Sequence, residues 1–268
     1  IEISDTVAVG EVVARVRPEA VVHLAGASSV GRSFGDPLGT WDVNLNGTLA
    51  VLEGVRALDA QPRTLIVTSG EIYGRVPLGD LPVGPPTPLS PLSPYGASKA
   101  AADLAAAQYQ LGYDVPAIRV RAFNHIGPGQ DERFVVPNVA RQIAAAESRG
   151  DREVVVRVGN VSTRRDFTDV RDVVEAYWLL MHQGDPATVY HPCSGRSLAV
   201  RELVDGLAAL STIDATIESD AALRREGEQE DLYGSPDSLR ALGWAPAIPL
   251  ERSLGDALEW WRDRLAIG

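Results

Sequence analysis

Val21-Val22-His23-Leu24-Ala25-Gly26 is a short apolar run closed by glycine, the pattern of a parallel strand buried on both faces. Outward from it, Trp41, Val43, Leu45, Leu49, Leu52 and Val55 recur at helical spacing and predict a helix over 41–58. Thr64-Leu65-Ile66-Val67-Thr68 follows as a second strand, so the three segments make a βαβ unit. A helix over 95–111 and a strand at Ala117-Ile118-Arg119-Val120-Arg121-Ala122 continue the alternation. The expected fold class is α/β, a doubly wound parallel sheet. A proline-rich loop from Pro77 to Pro94 lies between a strand end and a helix start, where open sheets of this kind hold their ligands.

After Gly127-Pro128-Gly129 the pattern loosens. Helices are predicted near 135–148, 170–183 and 199–210, with a short strand near 153–158 and an amphipathic helix near 250–265 that packs Trp260 and Trp261. The expected division is a dinucleotide-binding domain over 1–130 and a smaller substrate lobe over 131–268, with some later segments returning to the first sheet. A dinucleotide-binding sheet should open with a strand, a Gly-rich turn and a helix that takes the pyrophosphate. Here Ile1 already precedes a helix and no such turn occurs nearby. The expectation is a chain recorded without its first βαβ segment, rather than one that binds no dinucleotide.

Composition narrows the partners. The formal charge is 25 − 36 = −11, with no basic block, which argues against nucleic acid or an anionic membrane. An anionic substrate must then be held by individual arginines. Cys193 is the single cysteine, so no internal disulfide can form, and scattered histidines lack the paired spacing of a zinc site. No stretch approaches the roughly 20 apolar residues of a membrane span, and no signal peptide opens the chain. A cytoplasmic protein without a metal is expected.

The chemistry gathers at Ser93-Pro94-Tyr95-Gly96-Ala97-Ser98-Lys99 and at Val67-Thr68-Ser69-Gly70-Glu71-Ile72-Tyr73-Gly74. Tyr95 and Lys99 stand four apart at the start of an alanine-rich helix, on one face and one turn apart. An ammonium beside a phenol favours the phenolate and gives a proton donor or acceptor usable near neutral pH. Ser69 would hydrogen-bond a reacting carbonyl oxygen. Taken singly, each has a plainer reading: first-turn helix residues for the pair, a strand-end cap for Ser69, a solvated acid for Glu71.

Four blocks in order, His23-Leu24-Ala25-Gly26, Ser69 to Gly74, Tyr95 with Lys99, and Arg165-Asp166-Phe167-Thr168-Asp169-Val170-Arg171-Asp172, resemble the extended short-chain dehydrogenases/reductases that act on nucleotide sugars. Phe123-Asn124-His125-Ile126-Gly127-Pro128-Gly129-Gln130 with Phe134-Val135-Val136-Pro137 is similar to the branch handling GDP-4-keto-6-deoxy-mannose. The resemblance implies a Rossmann-like sheet with a smaller C-terminal lobe, NADPH or NADH as cofactor and a GDP-sugar as substrate. Reduction of the sugar's C4 keto group is the expected reaction. A GDP-mannose 4,6-dehydratase, a 4-epimerase and a catalytically silent nucleotide-sugar binding protein are the alternatives.

The resemblance also implies roles. Ser69, Tyr95 and Lys99 are catalytic; Lys99 in addition lowers the Tyr95 pKa and bonds the nicotinamide ribose. Glu71 is where a dehydratase keeps its base, but Ser69-Gly70 before it has the reductase form. Cofactor contacts fall on Glu2, Ile3, Leu24, Ala25, Gly26, Asn44, Thr68 and Ala122, with Glu2 departing from the aspartate usual there. Substrate contacts fall on Ser28, Asn124, Val135 and three arginines. Arg165 ranks first, then Arg225, whose element with Glu228 has Glu226 in place of a proline, then Arg141. Pairing of the helices near 41–58 and 95–111, the second rich in alanine, implies a homodimer.

Overall fold

The computed structural model describes residues 1–220 and 229–266. The chain divides into two compact units, the first comprising 1–123, 174–192 and 234–245 and the second 124–173, 193–233 and 246–268.

The first unit opens with helix α1 (Thr6–Val16), capped by Asp5, whose carboxylate accepts from the Ala8 N–H. Strand β1 (Ala20–His23) follows, then the short helices α2 (Val30–Ser33) and α3 (Pro37–Trp41). The apolar periodicity expected to form one helix over 41–58 is interrupted by a π-helical turn at Asp42–Asn46 before α4 (Gly47–Arg56). Strand β2 (Arg63–Ser69) and helix α5 (Pro94–Tyr113) come next, α5 ending at Asp114 in the left-handed region (φ 58°). Strand β3 (Ala117–Ala122) completes the continuous part of the unit.

The sheet runs β1-β2-β3-β8, where β8 is Val189–Tyr190, and every pairing is parallel. Neighbouring residues of β2 feed opposite faces. Ile66 joins Leu52, Val55, Ala106, Tyr109, Val115 and Ala117 beneath α4 and α5. Leu65 joins Ile118, Val120, Ala176, Leu180, Leu239 and Trp244 on the other side. A parallel sheet with apolar clusters on both faces is the doubly wound arrangement that the alternating sequence predicts.

The second unit contains β4 (Asn124–Ile126), α6 (Val135–Ser148), β5 (Glu153–Val158), β6 (Arg164–Arg165) and β7 (Phe167–Asp169). Helix α7 (Val170–Gln183) starts in this unit and ends in the first. Then come β9 (Leu198–Ala199), α8 (Val200–Ala209), β10 (Asp214–Ser219), β11 (Asp231–Leu232), α9 (Asp237–Arg240, within the first unit) and α10 (Leu250–Ala266). β5 pairs with β10 and β4 with β7, both parallel. The core of this unit gathers Val139, Ile143, Phe167, Leu203, Leu207, Leu258 and Trp261, with Trp260 packed against it. Both tryptophans are therefore core residues, as the amphipathic pattern expects.

Candidate active site

Ser69 is the last residue of β2 and caps the 3-10 turn Gly70–Ile72, its Oγ accepting from the Glu71 N–H at 3.1 Å. α5 starts close by with its own cap: Ser93 Oγ accepts from the Gly96 N–H at 3.0 Å, and Pro94 occupies the first turn, where its missing donor costs nothing. Gly96 lets the two meet, since a Cβ there would sit 2.8 Å from the Glu71 carbonyl oxygen. Tyr95 and Lys99 lie on the buried side of the helix, 8% and 7% exposed. The Ser69 hydroxyl is near enough to Tyr95 to act on its phenol.

Burial pushes the Tyr95 phenol up to about 12; the Ser69 hydrogen bond pulls it down and the Glu71 charge pushes it further up. Lys99 is not what moves Tyr95. The expected bias toward phenolate is replaced by a phenol held protonated at neutral pH, the form a proton donor needs. Burial alone lowers Lys99 to about 8. Tyr177, which sequence reasoning missed, is near enough to Tyr95 to be raised by it, after the larger effect of its own burial.

Lys99 Nζ donates to the Val67 carbonyl at 3.0 Å. Gly26, just past β1, faces it: a Cβ on Gly26 would come 3.0 Å from Lys99 Nζ and 2.9 Å from Asn44 Oδ1. Asn44 sits in the π-helical turn and is fully buried. Its Oδ1 accepts from the Ala27 N–H at 2.9 Å, and its Nδ2 donates to Ser98 Oγ at 2.9 Å and to the Ala27 carbonyl at 3.2 Å. Behind it, Thr48 Oγ1 donates to the Asn44 carbonyl at 2.6 Å and accepts from His23 Nε2 at 3.1 Å. His23 is held neutral, lowered to about 4 by burial and then by the Lys99 charge. Leu24, Ala25 and Gly26 form an exposed backbone edge with the buried Lys99 at its rim.

The other residues expected at a cofactor divide. Ile3 is packed against Gly47 of α4, as part of the small cluster around Val9, Ala50 and Val51, while Glu2 is exposed. Ala122 is buried at the end of β3. Thr68 is buried, its one hydroxyl proton facing two acceptors, the Val120 carbonyl at 3.1 Å and Asp103 Oδ1 at 3.4 Å. Ser28 is exposed in the loop beyond Gly26.

A second buried group was missed in the sequence. Asp103, one turn beyond Lys99, accepts from Arg121 Nε at 3.1 Å and from its NH2 at 2.8 Å. Arg121 NH1 donates to the Tyr73 hydroxyl at 2.7 Å, which in turn is 2.7 Å from His191 Nε2. His191 Nδ1 is 3.1 Å from the Ser235 carbonyl, so Nδ1 carries the proton and Nε2 accepts from Tyr73. The available signal was two arginines, 119 and 121, in a strand otherwise apolar, because a buried guanidinium requires a partner.

In the second unit the acids of the Arg165 to Asp172 motif hold backbone. Asp166, fully buried, accepts from the N–H groups of Ser194 at 2.7 Å and Gly195 at 2.9 Å. Asp169 pairs with Arg171 at 2.7 Å and accepts from Ser253 Oγ at 2.6 Å, and Asp172 accepts from the Ile248 N–H at 3.0 Å. Arg165 NH1 donates to the carbonyls of Arg164 and Gln229, each at 2.8 Å. Arg141 on α6 forms an ion pair with Glu132. Asn124 is exposed on β4, and Val135 begins α6, half-buried against the core. Arg225, Glu226 and Glu228 lie outside the described residues. Among the described residues, no helix is long and apolar enough to cross a membrane, and no three His, Cys, Asp or Glu side chains gather as metal ligands.

Residues 1–256 match the family model described as GDP-mannose 4,6 dehydratase. GDP-6-deoxy-D-mannose reductase of Pseudomonas aeruginosa is 37% identical over 249 residues, spanning 92% of this chain and 82% of that protein. GDP-mannose 4,6-dehydratase of Yersinia enterocolitica is 29% identical over 282 residues, spanning 93% and 74%. Among solved structures, RMD from Pseudomonas aeruginosa complexed with NADPH superposes with a TM-score of 0.89 at 35% identity, covering 98% of this chain and 87% of that one. UDP-glucose 4-epimerase of Thermus thermophilus in complex with NAD gives 0.86 at 28% identity, covering 98% and 83%.

Proposed function

The chain belongs to the GDP-mannose 4,6-dehydratase family, and we propose that within it the chain is an NAD(P)H-dependent reductase. Its substrate on this reading is a GDP-4-keto-6-deoxyhexose, and its product a GDP-6-deoxyhexose such as GDP-D-rhamnose. The observation that carries the reading is the buried Ser69 and Tyr95 hydroxyl pair, with the phenol protonated and Lys99 on the same helix face.

Leu24, Ala25 and Gly26 would seat the cofactor, with Asn44 bracing their loop through Ala27 and Lys99 at the ribose. NADPH or NADH bound there supplies the hydride that reduces C4. Ser69 orients the keto oxygen by hydrogen bonding, which also stabilises the charge that develops on it. Tyr95 gives that oxygen its phenolic proton, and the hydrogen bond from Ser69 favours the phenolate left behind. The two phosphates of the GDP-sugar suit guanidinium forks, and Arg165, Arg225 and Arg141 are assigned to them, with Asn124, Val135 and Ser28 as further substrate contacts. The same chain supports a homodimer: Ala97, Ala101, Leu104, Gln108 and Leu111 recur at four- and three-residue steps on the outer face of α5, with Leu104 60% and Leu111 79% exposed.

A dehydratase is the second reading, favoured by Glu71, whose charge acts on Tyr95 as a C5 base beside the reacting hydroxyls would. Two incubations separate the readings. GDP-4-keto-6-deoxy-mannose with NADPH or NADH should give coenzyme oxidation and a GDP-6-deoxyhexose. Turnover of GDP-mannose without net coenzyme oxidation would instead identify a dehydratase, and no turnover of either would leave a binding protein.

A further inference from the structure

The segment that carries Ser69 and Glu71 is anchored at both ends by one buried ion pair. At its start, the single Thr68 hydroxyl proton is shared between the Val120 carbonyl at 3.1 Å and Asp103 Oδ1 at 3.4 Å. At its end, the Tyr73 hydroxyl accepts from Arg121 NH1 at 2.7 Å. Asp103 and Arg121 close the circuit with a two-pronged contact at 3.1 and 2.8 Å, Asp103 fully buried and Arg121 5% exposed. Arg121 NH1 also donates to the Pro85 carbonyl at 3.2 Å, which ties in the proline-rich loop. His191 accepts the Tyr73 hydrogen and stacks edge-on against both Tyr73 and Phe123, with centroids 5.6 Å apart in each case. Phe123 in turn lies against Gly70, where a Cβ would come 2.9 Å from its ring.

Asp103 belongs to α5 and follows Lys99 by one helical turn. The carboxylate that anchors the Ser69 segment is thus rigidly attached to the helix that bears Tyr95 and Lys99. We propose that Asp103, Arg121, Tyr73 and His191 form a register clamp that fixes the Ser69–Glu71 turn against the Tyr95–Lys99 helix, with Tyr73 a positioning residue for Ser69. Alignment of two hydroxyls is sensitive to displacements of about 1 Å, so a clamp of this kind acts on rate more than on binding. The inference rests on the reading in which Ser69 and Tyr95 carry the proton chemistry.

The test is a double-mutant cycle on the full chain with GDP-4-keto-6-deoxy-mannose and NADPH, using Tyr73→Phe and Ser69→Ala. Tyr73→Phe keeps the ring and removes one acceptor and one donor. It should lower kcat about tenfold or more while KM stays within about threefold, because the lost alignment matters in the transition state. In the Ser69→Ala background the same change should cost less than about threefold in kcat, because the group it positions is gone. Losses that multiply in the double variant would overturn the clamp, since a merely structural Tyr73 weakens both backgrounds alike. His191→Gln, which leaves the Asp103–Arg121 contact intact, should reproduce the pattern more weakly, and an unchanged kcat there would remove His191 from the clamp.

Amide exchange supplies a readout independent of turnover. The amides of residues 70–73 should exchange about tenfold faster in Tyr73→Phe while those of β2 and β3 stay at the wild-type rate. Unchanged exchange at 70–73 would refute the clamp. If the unmutated protein turns over no GDP-sugar, the reductase reading fails, and this exchange measurement still decides the clamp.

Discussion

Replacing Lys99 with methionine should make the protein more stable and inactive. The Lys99 ammonium is 7% exposed, and burial lowers its pKa from 10.5 to about 8. The sign follows from the protons bound in each state. Below about 8 both folded and unfolded chains are protonated, and the folded state bears the full penalty of a buried charge. Between about 8 and 10.5 the unfolded chain binds the extra proton, so stability rises with pH, and above 10.5 both states are neutral and the penalty is gone. A shift from 10.5 to about 8, at about 1.4 kcal/mol per unit, corresponds to about 3 kcal/mol at neutral pH. Methionine has nearly the same shape but forfeits the hydrogen bond to the Val67 carbonyl, worth about 1 kcal/mol. The net expectation is a gain of about 2 kcal/mol for Lys99→Met at neutral pH, shrinking to nothing or a slight loss above 10.5. Urea unfolding of both proteins across that range measures the difference, in which the Tyr95 titration common to both cancels. A variant no more stable than wild type at neutral pH, or a difference that does not change with pH, would refute the reasoning.

Gly70→Ala forces a methyl to within 2.9–3.1 Å of three Phe123 ring atoms, and that ring is held against His191. A loss of about 1–3 kcal/mol in urea unfolding is expected, and a silent substitution would show that the ring can yield. Asp166→Ala strands the N–H groups of Ser194 and Gly195, and should cost about 2–4 kcal/mol in thermal or urea unfolding. Placing glutamate at both Leu104 and Leu111 puts charge on the exposed stripe of α5, and sedimentation should show a dimer become a monomer while the far-ultraviolet spectrum is kept.

Much of the architecture could be read in advance because it rests on long apolar periods. The helix at 135–148 and the strands at 117–122 and 153–158 fall where the pattern puts them. The break between α3 and α4 could not be read so easily. A π-helical turn inserts a residue while its neighbours keep apolar side chains inward, so Val43, Leu45 and Leu49 hold a near-helical rhythm through it. The two-residue strands β6, β9 and β11 are too short to show any period.

The site divides the same way. Tyr95 and Lys99 declare themselves by a four-residue step on one helix, and Ser69 by ending a buried strand. Tyr73 and His191 meet across 118 positions, a contact made by the sheet order and not written in any local pattern. The raised pKa of Tyr95 was likewise hidden, because spacing brings Lys99 to the same face but does not reveal that burial, and not Lys99, has the largest effect on the phenol. The arginines matched to phosphate are the least legible. Arg165 lies in a clear motif, yet the backbone carbonyls of Arg164 and Gln229 hold its NH1.

The central claim is that a protonated Tyr95 delivers the proton that completes reduction of a C4 keto group. Its most direct test compares wild type with Tyr95→Phe for NADPH oxidation by GDP-4-keto-6-deoxy-mannose, alongside calorimetric binding of GDP. Loss of turnover by about two to four orders of magnitude, with GDP affinity within about threefold of wild type, is the predicted result. Full turnover in Tyr95→Phe would contradict the account.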